Sequence, residues 1–249
     1  TLQQTMLFFG IAFAVVLSAL SMLLVNPPAG YDPIAAFGGE AKPGSAAAAA
    51  ATPVDAKPSE ILGTGRFWLM WTMYVIGSGA GLMVISDVLG LAKKSLAEQA
   101  FIAVALFAVG NAAGRIIAGI LSDKIGRRAT LRIMLTFQAI LMFLASPLVV
   151  NGGAGQVLLV VFATFIGFNY GTNLSLFPSL AKDNWGLKNF GMNYGLLFTA
   201  WGVGGLIFSE MYQRLKSADQ QSTAFIIMGI MLLLAAGMTF MLPGWRKKA

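Results

Sequence analysis

The chain has 249 residues, of which 57% are hydrophobic and only 11% charged, with a mean hydropathy of +0.75; a soluble domain carries about 25% charged residues, so this composition excludes one. With neither cysteine nor histidine, the chain has no thiol or imidazole nucleophile, no histidine proton relay and no ordinary zinc site, and no metal or cofactor is expected. The net charge of +7 does not describe a nucleic-acid partner, because the basic residues fall in loops, mostly on one side of a membrane.

A helix needs about twenty apolar residues to cross a hydrocarbon core of roughly 30 Å. Seven runs of that kind are read in chain order, at 6–25, 67–91, 99–121, 131–150, 156–180, 189–211 and 223–242. The fold class expected is therefore all-α integral membrane, with seven transmembrane helices. Alternating crossings place Lys42, Lys57, Arg66, Lys124, Arg127, Arg128, Arg132, Lys182, Lys188, Arg246, Lys247 and Lys248 on one side. The other side holds Lys93, Lys94, Arg214 and Lys216. The first side is cytoplasmic by the bias of basic residues toward the inner leaflet, which puts the N-terminus outside and the C-terminus inside. The chain opens on Thr1, and its outside N-terminus enters a spanning helix with no basic region or small-residue cleavage site before it. It reads as the later part of a longer chain; a seven-helix protein trimmed at its start is the alternative.

The first span ends at VNPPAGYDP, where Pro27 and Pro28 stop a helix. Residues 29–65, which include GSAAAAAATP, hold too few large apolar groups for a core and read as a mostly mobile linker. Within it PSEILGTGRF is the exception, with Ser59 and Glu60 starting a short interfacial helix whose Ile61 and Leu62 touch the membrane. The second span contains GSGAGL, Gly77 to Leu82, a superficial dinucleotide fingerprint. No strand precedes it, so its glycines are assigned to close packing or bending, as are those of GVGG at Gly202 to Gly205. Asp87 lies at the outer end of this span. In a chain without histidine it is the candidate proton carrier, with Lys93 and Lys94 nearby as opposing charges.

The third span, FIAVALFAVGNAAGRIIAGIL, carries Arg115 about 6 Å from its midpoint, too deep to snorkel easily. Asn111, one turn earlier, shares its face. A guanidinium fork with an adjacent amide matches one carboxylate, and an intramembrane cation is a functional-site hypothesis by default. No acid sits one turn away, so a transient anion is the expected counterion. The alternative is a structural arginine bonded to carbonyls or a buried acid. Next comes GILSDKIGRRATL, whose Gly119, Asp123, Lys124, Gly126, Arg127 and Arg128 form a loop with more pattern than charge bias requires. Asp123 at a helix C-terminus needs a basic neighbour or another helix's N-terminus. Gly126 permits the reversal. The arginines meet headgroups or a partner carboxylate. The fifth span contributes GFNYGTN, with Asn169, Tyr170 and Asn173 near mid-membrane; the sixth contributes Asn193, Tyr194, Thr199 and Trp201. Singly such groups are interhelical glue. As a set facing Arg115 they line a small polar cavity. The seventh span has no lysine for a retinal Schiff base, which excludes a light-driven pump. A seven-helix receptor remains the alternative of another class. An enzyme is not expected, since no paired acids, histidines or cysteines converge.

The loop GRIIAGILSDKIGRR resembles the signature loop of the major facilitator superfamily in its second-half version. With NPPAGY, FWLMWTMYVIGSGAGLMVI and GTNLSLFPSL, the chain is similar to the oxalate/formate antiporter family and its bacterial monocarboxylate relatives from residue 20 onward. The resemblance implies that residues 1–26 are the last helix of an N-terminal domain and 27–65 the central cytoplasmic loop. Residues 66–243 would be the six-helix C-terminal domain and 244–249 a basic cytoplasmic tail, and the earlier helices would belong to the missing part of the same transporter. It implies a bacterial cytoplasmic membrane and an alternating-access carrier of a small organic anion, coupled to a proton or a counter-anion. The arginine matching Arg115 binds substrate carboxylate in such carriers, and the position of Tyr170 holds an aromatic cavity residue. Oxalate carriers have a lysine where Trp201 stands, so a single cation here points to a monocarboxylate such as lactate, pyruvate, formate or acetate; an oxalate/formate exchanger is the alternative. Related eukaryotic monocarboxylate carriers have an aspartate in place of Asn111, which puts proton coupling through that helix in doubt.

Overall fold

A computed structural model describes residues 2–23, 55–87, 90, 101–150 and 155–242. Among them the regular structure is entirely helical. The chain divides into two units, Thr1–Thr52 and Pro53–Ala249. In the first, α1 (Leu2–Ser21) exposes Phe8, Phe9, Ile11, Phe13, Val16 and Leu17 around its circumference. A helix apolar on every side is one that lipid or other helices surround.

The second unit contains α2 (Pro58–Leu62), α3 (Gly65–Ile85), α4 (Phe101–Ile125), α5 (Arg127–Val150), α6 (Gly155–Trp185), α7 (Phe190–Ser217) and α8 (Gln221–Met238), which a 3-10 turn extends over Thr239–Met241. Six described helices, α1, α3, α4, α5, α6 and α8, are long and apolar enough to cross a membrane. The 28-residue α7 has the length, and its apolar content is diluted by Asn193, Tyr194, Thr199, Trp201 and its glycines. Most helices outrun the apolar stretch that marks them. α4 continues through Asp123 and Lys124, α6 through Asp183 and α7 through Arg214 and Lys216. Hydropathy reports where the hydrocarbon ends, whereas backbone hydrogen bonds carry the helix on into the interface. At the opposite extreme α3 stops at Ile85, earlier than expected, and Asp87 lies in the turn beyond, where Ser86 Oγ donates to the Met83 carbonyl at 2.7 Å.

The main packing partners are α3 with α7, α4 with α6 and α5 with α8. The first helix of one triplet pairs with the second of the other, and the third with the third. Three crossings reverse direction, so the two triplets, α3–α5 and α6–α8, are inverted repeats facing each other. Without a hydrophobic drive between helices in lipid, close approach must come from small residues. On α4, a Cβ at Gly110 or Gly114 would run into the backbone of Thr164 and Phe168. On α6, one at Gly167 or Gly171 would run into the backbone of Phe107 and Asn111. Two glycine pairs therefore mesh backbone to backbone. Gly79 and Gly204 do the same for α3 and α7, and Gly77 and Gly81 receive the side chains of Asn173 and Tyr170. The glycines read as packing devices are used that way, Gly202 excepted, since among the described residues nothing lies within 4 Å of a Cβ built there.

Gly114→Ala is therefore expected to cost about 3 kcal/mol, the upper part of the range for overpacking, because main chain cannot rotate aside. Gly202→Ala should be near neutral. Melting temperatures of the two purified variants in detergent test this pair.

The stretch before α3 is ordered further back than PSEILGTGRF. Ala56 N–H donates to the Trp185 carbonyl, the side-chain amides of Asn189 and Asn193 both donate to the Ala56 carbonyl, and Lys188 N–H donates to Asp55 Oδ1. Lys57 N–H donates to Glu60 Oε2 at 2.8 Å, closing the first turn of α2. Contrary to expectation Ile61 does not touch the membrane: it is 1% exposed, packed inside the unit, while Leu62 is 39% exposed. The remaining linker reading, residues 29–54, lies outside the described residues.

Candidate functional site

Gly110 and Gly114 press α4 onto α6, which leaves Asn111 and Arg115 at the rim of that seam. Asn111 is half-buried and Arg115 exposed on the face of the unit. Arg115 Nε donates to Asn111 Oδ1 at 3.2 Å, as their spacing of one turn predicts. Among the described residues no carboxylate lies within ion-pair distance of Arg115. Three phenols from three other helices stand in its vicinity: Tyr74 of α3, Tyr170 of α6 and Tyr194 of α7.

The phenols are tied together. Trp201 Nε1 donates to Tyr170 Oη at 2.9 Å, and the Tyr74 and Tyr194 hydroxyls are 3.4 Å apart. Phe198 stacks on Trp201 with centroids 5.4 Å apart, and Tyr194 leans on Phe198. Tyr74 is held by a tight stack on Phe177, 4.1 Å between centroids. Arg115, Asn111, Tyr170, Tyr194 and Trp201 thus share one neighbourhood. Tyr74 was missed, for nothing around it in MWTMYVIG marks it as polar lining.

Asn169 does not join them. It is 1% exposed, its amide nitrogen donates to the Phe165 carbonyl at 3.0 Å, and its buried Oδ1 has no partner among the described residues. Neighbouring polar groups behave alike: Asn173 donates to the Asn169 carbonyl and Thr172 to the Phe168 carbonyl. Asn169 and Asn173 thus turn their amide nitrogens onto their own helix, an arrangement open to short side chains one turn from a carbonyl, while Thr172 also donates to the Gly114 carbonyl of α4 at 3.5 Å.

Asp87, the candidate proton carrier, is largely withdrawn from the surface of the unit. Its side chain is 11% exposed and accepts from Lys216 Nζ at 2.6 Å and Tyr212 Oη at 3.0 Å. This ties the end of α3 to the end of α7. Lys93 and Lys94 lie outside the described residues. The missed partner was foreshadowed, since Lys216 falls on the same side of the membrane as Asp87 once crossings alternate.

At the basic end, Gly126 takes φ 92°, the left-handed conformation that separates α4 from α5 by one residue. Asp123 finds its basic neighbour within the loop itself: Arg127 pairs with it at 2.6 Å, reaches Asp183 of α6 at 3.4 Å and donates to Ser122 Oγ. Arg128 donates to the Leu242 carbonyl at 2.6 Å. Gly119 has room for a methyl group, its nearest neighbour being Ser175 Oγ at ordinary contact distance. Lys124 is exposed. The loop is thus a clasp centred on Arg127 that joins α4, α5 and α6, and Asp183 is its unforeseen member.

Residues 2–209 match the family model of the Major Facilitator Superfamily. Among curated proteins the chain is 30% identical over 147 residues to the uncharacterized MFS-type transporter YhjX of Escherichia coli, covering 57% of this chain and 35% of that protein. It is 27% identical over 199 residues to the oxalate:formate antiporter of Oxalobacter formigenes, covering 77% of this chain and 46% of the antiporter. It is also 27% identical over 185 residues to apicoplast pyruvate carrier 1 of Toxoplasma gondii, covering 71% and 33%. The matches span less than half the length of each of these relatives. The glycine-meshed inverted triplets, the Arg127 clasp and the family match over most of the chain agree: this multi-pass membrane protein belongs to the major facilitator superfamily.

Proposed function

We propose that this chain supplies the anion-binding half of a secondary transporter that moves a small monocarboxylate across a bacterial cytoplasmic membrane by alternating access, with proton coupling. The observation that carries the reading is Arg115: a guanidinium on an apolar helix long enough to cross a membrane, with an amide one turn away, three phenols in its vicinity and no carboxylate partner among the described residues. A cation so arranged gains most from an anion that arrives, and that gain can be spent on conformational change. The resemblance to an oxalate:formate antiporter and a pyruvate carrier supports a carboxylate as cargo. In this reading residues 1–26 end the N-terminal domain, 27–65 form the central loop, 66–243 form the C-terminal domain, and the Arg127 clasp and the 244–249 tail face the cytoplasm.

Trp201 favours one carboxylate over two. An indole beside Tyr170 offers one N–H and an aromatic face, and no second positive charge. The second reading, an exchanger of the oxalate/formate kind, is favoured by the antiporter relative. Uptake of labelled lactate, formate and oxalate by proteoliposomes holding the full-length carrier, with and without a pH gradient, separates the two. Gradient-driven lactate or formate uptake supports the proposal. Oxalate uptake that requires internal formate and ignores the gradient overturns it.

A proton-coupling role for Asp87 requires that a proton displace the Lys216 ammonium. Asp87→Asn is then expected to abolish gradient-driven uptake while leaving exchange of internal for external substrate. Loss of both in equal measure would assign Asp87 to holding α3 on α7.

A further inference from the structure

Outside the Arg115 neighbourhood, a groove of about 590 Å³ opens between the start of α3 and the end of α8, lined by Arg66, Trp68, Leu69, Thr72, Met238 and Met241. We propose that this groove binds an anionic phospholipid of the bilayer, with the phosphate on Arg66 and an acyl chain along Leu69, Met238 and Met241.

Three observations select that occupant. Depth is the first. Trp68 lies within the first turn of α3, half exposed, and its indole N–H donates to the Leu62 carbonyl at 3.0 Å. An aromatic ring with its polar edge satisfied toward the chain end sits where headgroup meets hydrocarbon. Charge is the second. Arg66 is exposed, gives one hydrogen bond to Asn184 Oδ1 at 3.2 Å, and forms no ion pair among the described residues. A guanidinium has five N–H donors, so a fork remains for phosphate. The third is that the apolar wall is prebuilt. Arg132 Nε donates to Thr239 Oγ1 at 2.9 Å and lies 3.5 Å over the Phe240 ring, and Arg128 holds the Leu242 carbonyl. These bonds fix the turn that presents Met241, itself 74% exposed, and add positive potential at the same end of the bundle. Basic grooves between spanning helices at headgroup depth are where acidic lipids bind.

The test uses the full-length carrier in phosphatidylcholine liposomes containing a phosphatidylglycerol probe with a photoreactive acyl chain, and peptide mass spectrometry to locate the crosslinks. Labelling is expected within 65–72 and 238–241, and an equivalent phosphatidylcholine probe should leave these peptides at background. Arg66→Gln should lower the labelling about fivefold, the share of one basic residue at an anionic surface, and Arg66→Lys should retain most of it. Met241→Trp, which fills the groove and leaves the charges alone, should abolish it, so the proposal stays testable if a variant at Arg66 fails to fold. Equal labelling by both probes, unchanged labelling of Arg66→Gln, or an unlabelled groove because another segment of the protein covers it would each overturn the proposal.

Discussion

Arg115→Gln is expected to lower uptake of a small monocarboxylate by at least about a hundredfold, with membrane insertion and melting temperature preserved. Glutamine keeps a donor within reach of Asn111 and removes the charge, so what is lost is the attraction to an incoming carboxylate. Truncating one member of a desolvated charge pair costs on the order of 2–5 kcal/mol, and about 3 kcal/mol corresponds to a hundredfold change in affinity. Stability should hardly change, because Arg115 lies exposed on the face of its unit and bonds only Asn111 among the described residues. Arg115→Lys should recover part of the uptake: it restores the charge but not the fork that meets two oxygens at once. Initial rates of labelled uptake at sub-saturating concentration, normalised to reconstituted protein, decide the matter. Substantial transport by the glutamine variant would remove the role assigned to Arg115.

Trp201→Lys is expected to reverse the preference between one carboxylate and two, raising the affinity for oxalate about tenfold or more and weakening that for lactate. The indole N–H now ends on Tyr170 Oη, and Tyr170 stands in the vicinity of Arg115, so a lysine at 201 adds its ammonium to that neighbourhood. Two neighbouring cations repel, and a dianion relieves that repulsion where a monoanion relieves half of it. Each added opposite charge in a partly desolvated site is worth on the order of 1–4 kcal/mol, enough to decide between cargoes. Losing the Phe198 stack on Trp201 carries a cost of about 1 kcal/mol, set by what such aromatic pairs contribute. Competition of oxalate and lactate against labelled substrate, compared between wild type and variant, provides the measurement. An unchanged ratio would place Trp201 away from the cargo.

Much of this protein is legible in its sequence because a bilayer leaves few choices. Backbone polar groups in hydrocarbon must be satisfied within the helix, so twenty apolar residues in a row mark a helix able to make one crossing. Arg115 stands out by the same logic, since a guanidinium in such a run is costly unless protein, water or an anion meets it. One-turn relations also follow from helix geometry alone, as Asn111 with Arg115 and Asp123 with Arg127 show. What the one-dimensional pattern omits is which helices touch. Tyr74 reaches Tyr194 across 120 residues, Trp201 reaches Tyr170 and Lys216 reaches Asp87; the first and last of these pairings follow the glycine mesh of α3 with α7, and Tyr170 is seated against Gly81 of α3. Hydropathy is blind to a glycine's partner, as it is to Asn169 turning onto its own helix and Ile61 facing inward. Depth and direction are local consequences of solvent, whereas lateral contact depends on the shapes of two surfaces far apart in the chain, and only the folded bundle brings those together.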